Sequence, residues 1–123
     1  MEFNLEVPQD ILFVRSVSEN GIRIGDDYLN ASFILSGQQL INWDVSSIDN
    51  ISQENLQGIF ELQPELVLIG TGKTQVFLPP AIQSLFFKRG IGFEVMTTDA
   101  ACRTFNILVS EGRQVVAALL PLI

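Results

Sequence analysis

Glu65–Gly72 reads ELVLIGTG, and this stretch decides the fold. Leu66–Ile69 is an unbroken apolar run of strand length. A strand apolar on both of its faces is covered on both faces, as in a parallel or mixed sheet. Gly70-Thr71-Gly72 then turns the chain, because glycine enters positive-φ conformations without a Cβ clash. A buried strand closed by a glycine turn defines a small α/β domain.

The chain continues that pattern downstream. Pro79-Pro80 opens a helix, with Pro80 suited to the first turn. Ile82, Leu85 and Phe86 form its inward stripe, and Gly90 stands where a left-handed C-terminal residue is expected. Gly92–Met96 is the next strand. Thr97 or Thr98 caps a third helix, with Asp99 near its positive end. Ala101, Cys102, Phe105 and Leu108 line the buried face of that helix. Glu111-Gly112 turns the chain into Gln114–Leu120, a final apolar strand. Upstream, Ser52 caps a helix whose stripe is Leu56, Ile59 and Phe60. Ile51 and Leu56 form a hydrophobic staple, and the helix runs to about residue 62, ended by Pro64.

The first third is β-rich. Ile11–Ser18 and Ile22–Ile24 pair across Asn20-Gly21, a dipeptide favoured in two-residue hairpins. Gly25-Asp26-Asp27 is a second turn. Tyr28–Leu35 reads as one alternating strand with Leu29, Ala31, Phe33 and Leu35 on one face. Leu40–Asp44 carries Trp43, expected in the core. Phe3, Leu5 and Val7 also alternate, as a strand or extended arm stopped by Pro8. The order is an N-terminal antiparallel meander followed by αβαβαβ. Short strand–helix–strand crossovers imply parallel pairing, so residues 1–123 form a single α/β domain with a mixed sheet. The antiparallel portion lies beside the parallel part or continues it.

Composition excludes several function classes. Seven Lys/Arg against fourteen Asp/Glu leave a net charge of −7, which disfavours nucleic acid and anionic membranes. The single Cys102 forbids an internal disulfide. Its place on an apolar stripe marks it as a packing residue. No histidine occurs, so Ser-His-Asp and Cys-His catalysis and imidazole metal sites are removed. No metal or cofactor site is expected, and Asp26-Asp27 reads as a solvated turn. The N-terminus is acidic and no apolar run approaches ~20 residues, so a cytoplasmic protein without membrane insertion is expected.

Ligands in open α/β sheets favour the carboxyl ends of parallel strands. Two such ends are readable: Gly70-Thr71-Gly72-Lys73 and Thr97-Thr98-Asp99. If their strands are neighbours, the loops form one candidate site, with a helix dipole behind it. GTG matches neither the dinucleotide nor the Walker pattern, and a turn alone also explains both glycines. Arg113 pairs with Glu111 or a neighbouring carboxylate, or else supplies an anion-binding group. Phe87, off its helix stripe beside Lys88 and Arg89, is a candidate partner surface or a covered helix face.

In order, these motifs resemble the small domain family of mitochondrial complex I assembly factor 3 and its bacterial and archaeal relatives. The resemblance rests on Gly70-Thr71-Gly72, Gly90-Ile91, Glu94-Val95-Met96, Thr97, Ala101, Phe105-Asn106 and Glu111-Gly112-Arg113, within residues 10–120. Phe105 stands where the pattern often has Tyr. The resemblance implies a three-layer β/β/α fold with a mixed central sheet. It implies no known enzyme activity, and for the eukaryotic member a non-catalytic role in assembling a respiratory complex through protein contacts. The absence of a transit peptide points to a bacterial member. The leading expectation is a non-enzymatic interaction or assembly module with an unidentified protein partner, and a homo-oligomer stays open. The alternative is a ligand-binding protein or enzyme acting through the 70–73 and 97–99 loops.

Overall fold

The computed structural model describes residues 11–122, so the expected arm at Phe3–Val7 lies outside the described residues. β1 (Val14–Ser18), β2 (Gly21–Ile24) and β3 (Asp27–Leu29) form a three-stranded antiparallel sheet. β4 (Phe33–Leu35), β5 (Leu40–Asn42), β6 (Leu66–Gly70), β7 (Gly92–Met96) and β8 (Val115–Leu119) form a five-stranded sheet in the order β5-β4-β8-β6-β7. β6 is parallel to both neighbours, with Leu68 beside Glu94 on one side and Ala117 on the other. β4 pairs antiparallel with β8 and β5, which makes the sheet mixed.

The unalternating run of β6 is explained by its two cores. Val67 and Ile69 face α1 (Gln53–Phe60) and α2 (Pro80–Arg89), packing with Leu56, Ile59, Phe60 and Phe86. Leu68 faces the other way, toward Ala101, Cys102 and Phe105 of α3 (Thr98–Ser110) and Val14, Val17 and Ile22 of the small sheet. Each fully buried Leu, Ile or Phe contributes about 1.5–3 kcal/mol from surface removed from water. The layers are therefore α1 with α2, the five-stranded sheet, and an outer layer shared by the small sheet and α3.

Local signals set the helix ends. Ser52 accepts from the Asn55 N–H while the Asn55 side chain accepts from the Ser52 N–H, a reciprocal cap. α1 stops at Phe60, and Gln63 takes φ 53° before Pro64. Pro80 is in the first turn of α2, and Gly90 ends it at φ 65°. On α2 only Phe86 is fully buried, with Ile82 and Leu85 packed partly against the same core.

The expected meander is divided. Tyr28–Leu35 is not one strand: it breaks at 30–32, leaving β3 in the small sheet and β4 in the central one. Leu29 and Phe33 still alternate because both address the same core from different sheets. Packed sheets stand about 10 Å apart, a gap no straight strand crosses. β5 also ends before Trp43, which turns inward and is buried.

The edge of β1 is closed by a side chain. Asn106 on α3 accepts from the Val14 N–H at 2.8 Å and donates to the Val14 carbonyl at 2.7 Å. The buried amide thus takes the place of a neighbouring strand. Among the described residues no helix is long and apolar enough to cross a membrane.

Candidate functional site

β6 and β7 are parallel neighbours, so the loops that follow them meet at one end of the sheet. Thr71 donates its N–H to the Met96 carbonyl at 2.9 Å, and Thr98 donates its N–H to the Gly72 carbonyl at 2.9 Å. The fully buried Thr98 hydroxyl accepts from the Gly72 N–H at 2.8 Å and donates to the Leu120 carbonyl at 2.6 Å. One side chain therefore ties the ends of β6 and β8 to the start of α3. Gly72 holds φ 95°, which favours glycine. Gly70 is needed for closeness: a Cβ there would lie 2.8 Å from the Leu119 side chain and 2.9 Å from the Thr98 Cα.

Most of the remaining polar groups of the pair of loops are also occupied. The Thr71 hydroxyl donates to the Thr74 carbonyl at 2.6 Å and accepts from the Val76 N–H at 3.3 Å, shaping the chain toward α2. Thr97, not Thr98, is the N-cap of α3, accepting from the Ala100 N–H at 3.3 Å. Asp99 lies in the first turn of α3 and reaches Arg103 at 3.9 Å. Its other carboxyl oxygen is buried with no hydrogen-bond partner among the described residues. Lys73 bonds Glu19 at 2.8 Å in the β1–β2 turn. Their hydrogen bond first, and their opposite charges second, hold the Glu19 carboxyl below its ordinary range and the Lys73 ammonium above its own. Both are fully exposed, so solvent screens the pair.

Arg113 is not part of this cluster. It precedes β8, at the far end of parallel strands that rise about 3.3 Å per residue, and bonds Glu65 at 3.0 Å. The same carboxylate accepts from the Gln114 N–H at 3.2 Å. The neighbouring carboxylate is therefore Glu65, not Glu111.

Open space lies to one side of the loops. A cleft of about 420 Å³ is lined by Thr71, Gly72 and Lys73 together with 46–49 and 120–122, and Thr97–Asp99 do not line it. A broader groove of about 980 Å³ passes Trp43, Asp44, Glu54, Asn55 and Pro121. The Trp43 indole donates to the Asn55 carbonyl at 2.9 Å, fixing the wall of that groove. Cys102 is inert: burial first, then the charge of Asp99, pushes its thiol far above the ordinary value. No group of three or more Cys, Asp or Glu stands together for a metal ion among the described residues.

The Phe87-Lys88-Arg89 triplet is divided by the helix. Phe87 is 68% exposed and lays its ring edge-on against Phe93 of β7, at 5.5 Å between centroids. Arg89 folds to the opposite flank, over the Phe60 ring at 4.2 Å. Lys88 points to solvent between them. The sequence reading missed Phe77, 82% exposed, because it stands in an irregular segment with no periodicity to mark its direction. Asn106 was named there only as part of the Phe105-Asn106 motif and given no role; the signal for one was a polar residue on the stripe that includes Cys102, Phe105 and Val109.

The two-core mixed sheet, the zipped strand ends and the EGR turn together define one class of small domain. The chain belongs to the family described as "Protein of unknown function (DUF498/DUF598)", whose model matches residues 14–120. It is similar to the "NADH dehydrogenase [ubiquinone] 1 alpha subcomplex assembly factor 3" of Mus musculus, with 36% identity over 118 residues. That match covers 94% of this chain but 63% of the mouse protein. It is also 36% identical over 88 residues to a "13 kDa major membrane protein" of Francisella tularensis, covering 70% of this chain and 72% of that one. Among solved structures, a Bordetella parapertussis protein superposes with a TM-score of 0.85 at 33% identity, covering 92% of this chain and 98% of that chain. The mixed α/β architecture and the resemblance read from the motifs are thus both confirmed.

Proposed function

We propose that this chain is a non-enzymatic interaction module that works by binding another protein during assembly. The observation that carries the reading is the closed state of the strand ends. The Gly72 N–H and the Thr98 N–H and hydroxyl are spent on the fold itself. Backbone donors that would cradle an anion are thereby occupied. Large apolar groups are instead displayed: Val76, Phe77 and Phe87 are all exposed. The name of the mouse relative supports an assembly role, with subunits of a respiratory NADH dehydrogenase as the partner class.

Crosslinked affinity purification from the source organism tests this. The wild-type chain is expected to recover a protein in stoichiometric yield, and Phe77→Ser with Phe87→Ser to lose it. Repeated recovery of background alone from wild type refutes the reading.

A second reading, a small-ligand site at the 70–73 and 97–99 loops, draws support on its 70–73 side alone, from the cleft beside Thr71, Gly72 and Lys73. Its volume falls within the range of small-molecule pockets. Native mass spectrometry showing a co-purified small molecule, displaced in Lys73→Ala, supports this reading over the first.

A further inference from the structure

Among the described residues the two sheets present four edges, β1, β3, β5 and β7, and the first three are blunted. β1 is closed at Val14 by Asn106, while β3 and β5 are three residues each. β7 has five residues and carries no Lys, Pro or register shift, the usual devices that stop an edge from pairing.

Its hydrogen-bond phase follows from its bonds to the loops around β6. The Gly92 N–H donates to the Glu65 carbonyl and the Met96 carbonyl accepts from the Thr71 N–H. Backbone groups of alternate residues point the same way, so Gly92, Glu94 and Met96 address β6. Phe93 and Val95 then turn their N–H and C=O groups outward. On that side the exposed Gln75 side chain donates to the Val95 carbonyl at 3.1 Å, a bond that an added strand would have to replace.

The side chains around this edge say what fits it. On one face Phe93 and Val95 are half-buried, and the exposed Phe87 ring extends that apolar strip. On the other face Glu94 is exposed with no ion-pair partner among the described residues. The chain as a whole carries −7. A second copy paired symmetrically about Glu94 would set like charges opposite one another, which is destabilising.

We propose that the outer edge of β7 accepts an extended segment of a partner protein as an added antiparallel strand. That segment places apolar side chains beside Phe93, Val95 and Phe87 and a Lys or Arg opposite Glu94. Backbone bonds supply affinity, and the alternating side chains supply selectivity. The inference rests on the interaction reading and adds the surface and the chemistry of the partner.

A synthetic peptide, Thr-Val-Thr-Val-Lys-Val-Thr-Val-Thr, tests it by titration into the ¹⁵N-labelled full chain, with Glu replacing Lys in a companion peptide. The Phe93 and Val95 amide signals are expected to shift and their solvent exchange to slow. A cross-strand charge pair turned from attraction to repulsion predicts about fivefold tighter binding of the Lys peptide. Glu94→Lys reverses that preference. No binding, equal binding of both peptides, or shifts confined to another face overturns the proposal. So does a dimer in sedimentation with these two amides protected. The physiological partner separates the two readings. If Glu94→Lys and Val95→Pro retain it, the edge is wrong and the interaction reading stands. If wild type recovers none, the interaction reading itself falls.

Discussion

Thr98→Val replaces a hydroxyl with a methyl group of similar size at a fully buried position. Two bonds disappear, from the Gly72 N–H and to the Leu120 carbonyl, and both partners stay buried. Each orphaned buried group costs about 1–3 kcal/mol, so the variant is expected to lose ~2–5 kcal/mol. Total stability for such a domain is about 5–15 kcal/mol, so the loss is a large fraction of it. At about 3–5 °C per kcal/mol for a chain of this size, Tm falls by roughly 6–25 °C. Thr98→Ser keeps both bonds and loses one methyl group, about 1 kcal/mol. Urea unfolding followed by circular dichroism measures both variants. If Thr98→Val is as stable as Thr98→Ser, the hydroxyl does not hold the strand ends together and the reasoning fails.

Four further outcomes are expected. Asn106→Leu strands the Val14 N–H and carbonyl and is expected to destabilise by about 2–4 kcal/mol in urea unfolding, with faster amide exchange along β1. Gly70→Ala forces a Cβ against Leu119 and the Thr98 backbone, lowering Tm more than an alanine at Gly58, where nothing lies within 4 Å. The Cys102 thiol is expected to resist a thiol reagent in the folded chain and react in denaturant. Its raised folded value means stability declines as pH rises above about 9, a decline absent in Cys102→Ala. Because the bond to Lys73 holds the Glu19 carboxyl low, what the pair contributes is present in full above about pH 4.5 and is lost as pH falls through the depressed value. Its exposure predicts an unchanged urea midpoint for Glu19→Gln in about 0.15 M salt.

Features that depend on near neighbours in sequence were legible. The Ser52 cap, Pro80 at the start of α2, Gly90 at its end and the two-faced β6 all follow from local backbone chemistry. The adjacency of the 70–73 and 97–99 loops was legible as well, because short crossovers force parallel strands to end together. What those loops do to each other was not. Thr98 looked like a cap, a role set by its next three residues, whereas its partners Gly72 and Leu120 lie 26 and 22 residues away. Arg113 joined the candidate site on paper because no spacing shows which end of a sheet a turn occupies. The break at 30–32 was hidden by alternation, which reports burial and not which sheet does the burying.

The Asn106 amide has a consequence for synthesis. Val14 and Asn106 are 92 residues apart, and Phe33 of β4 pairs with Leu119 of β8. The backbone of Val14 therefore waits for its Asn106 partner until α3 has left the ribosome, and β4 waits for β8. Loop closure over such separations is slow compared with helix formation. Val14 and β4 thus lack these partners until residues 98–119 have been made, so a chaperone that shields strand edges should speed productive folding more than one that only delays collapse.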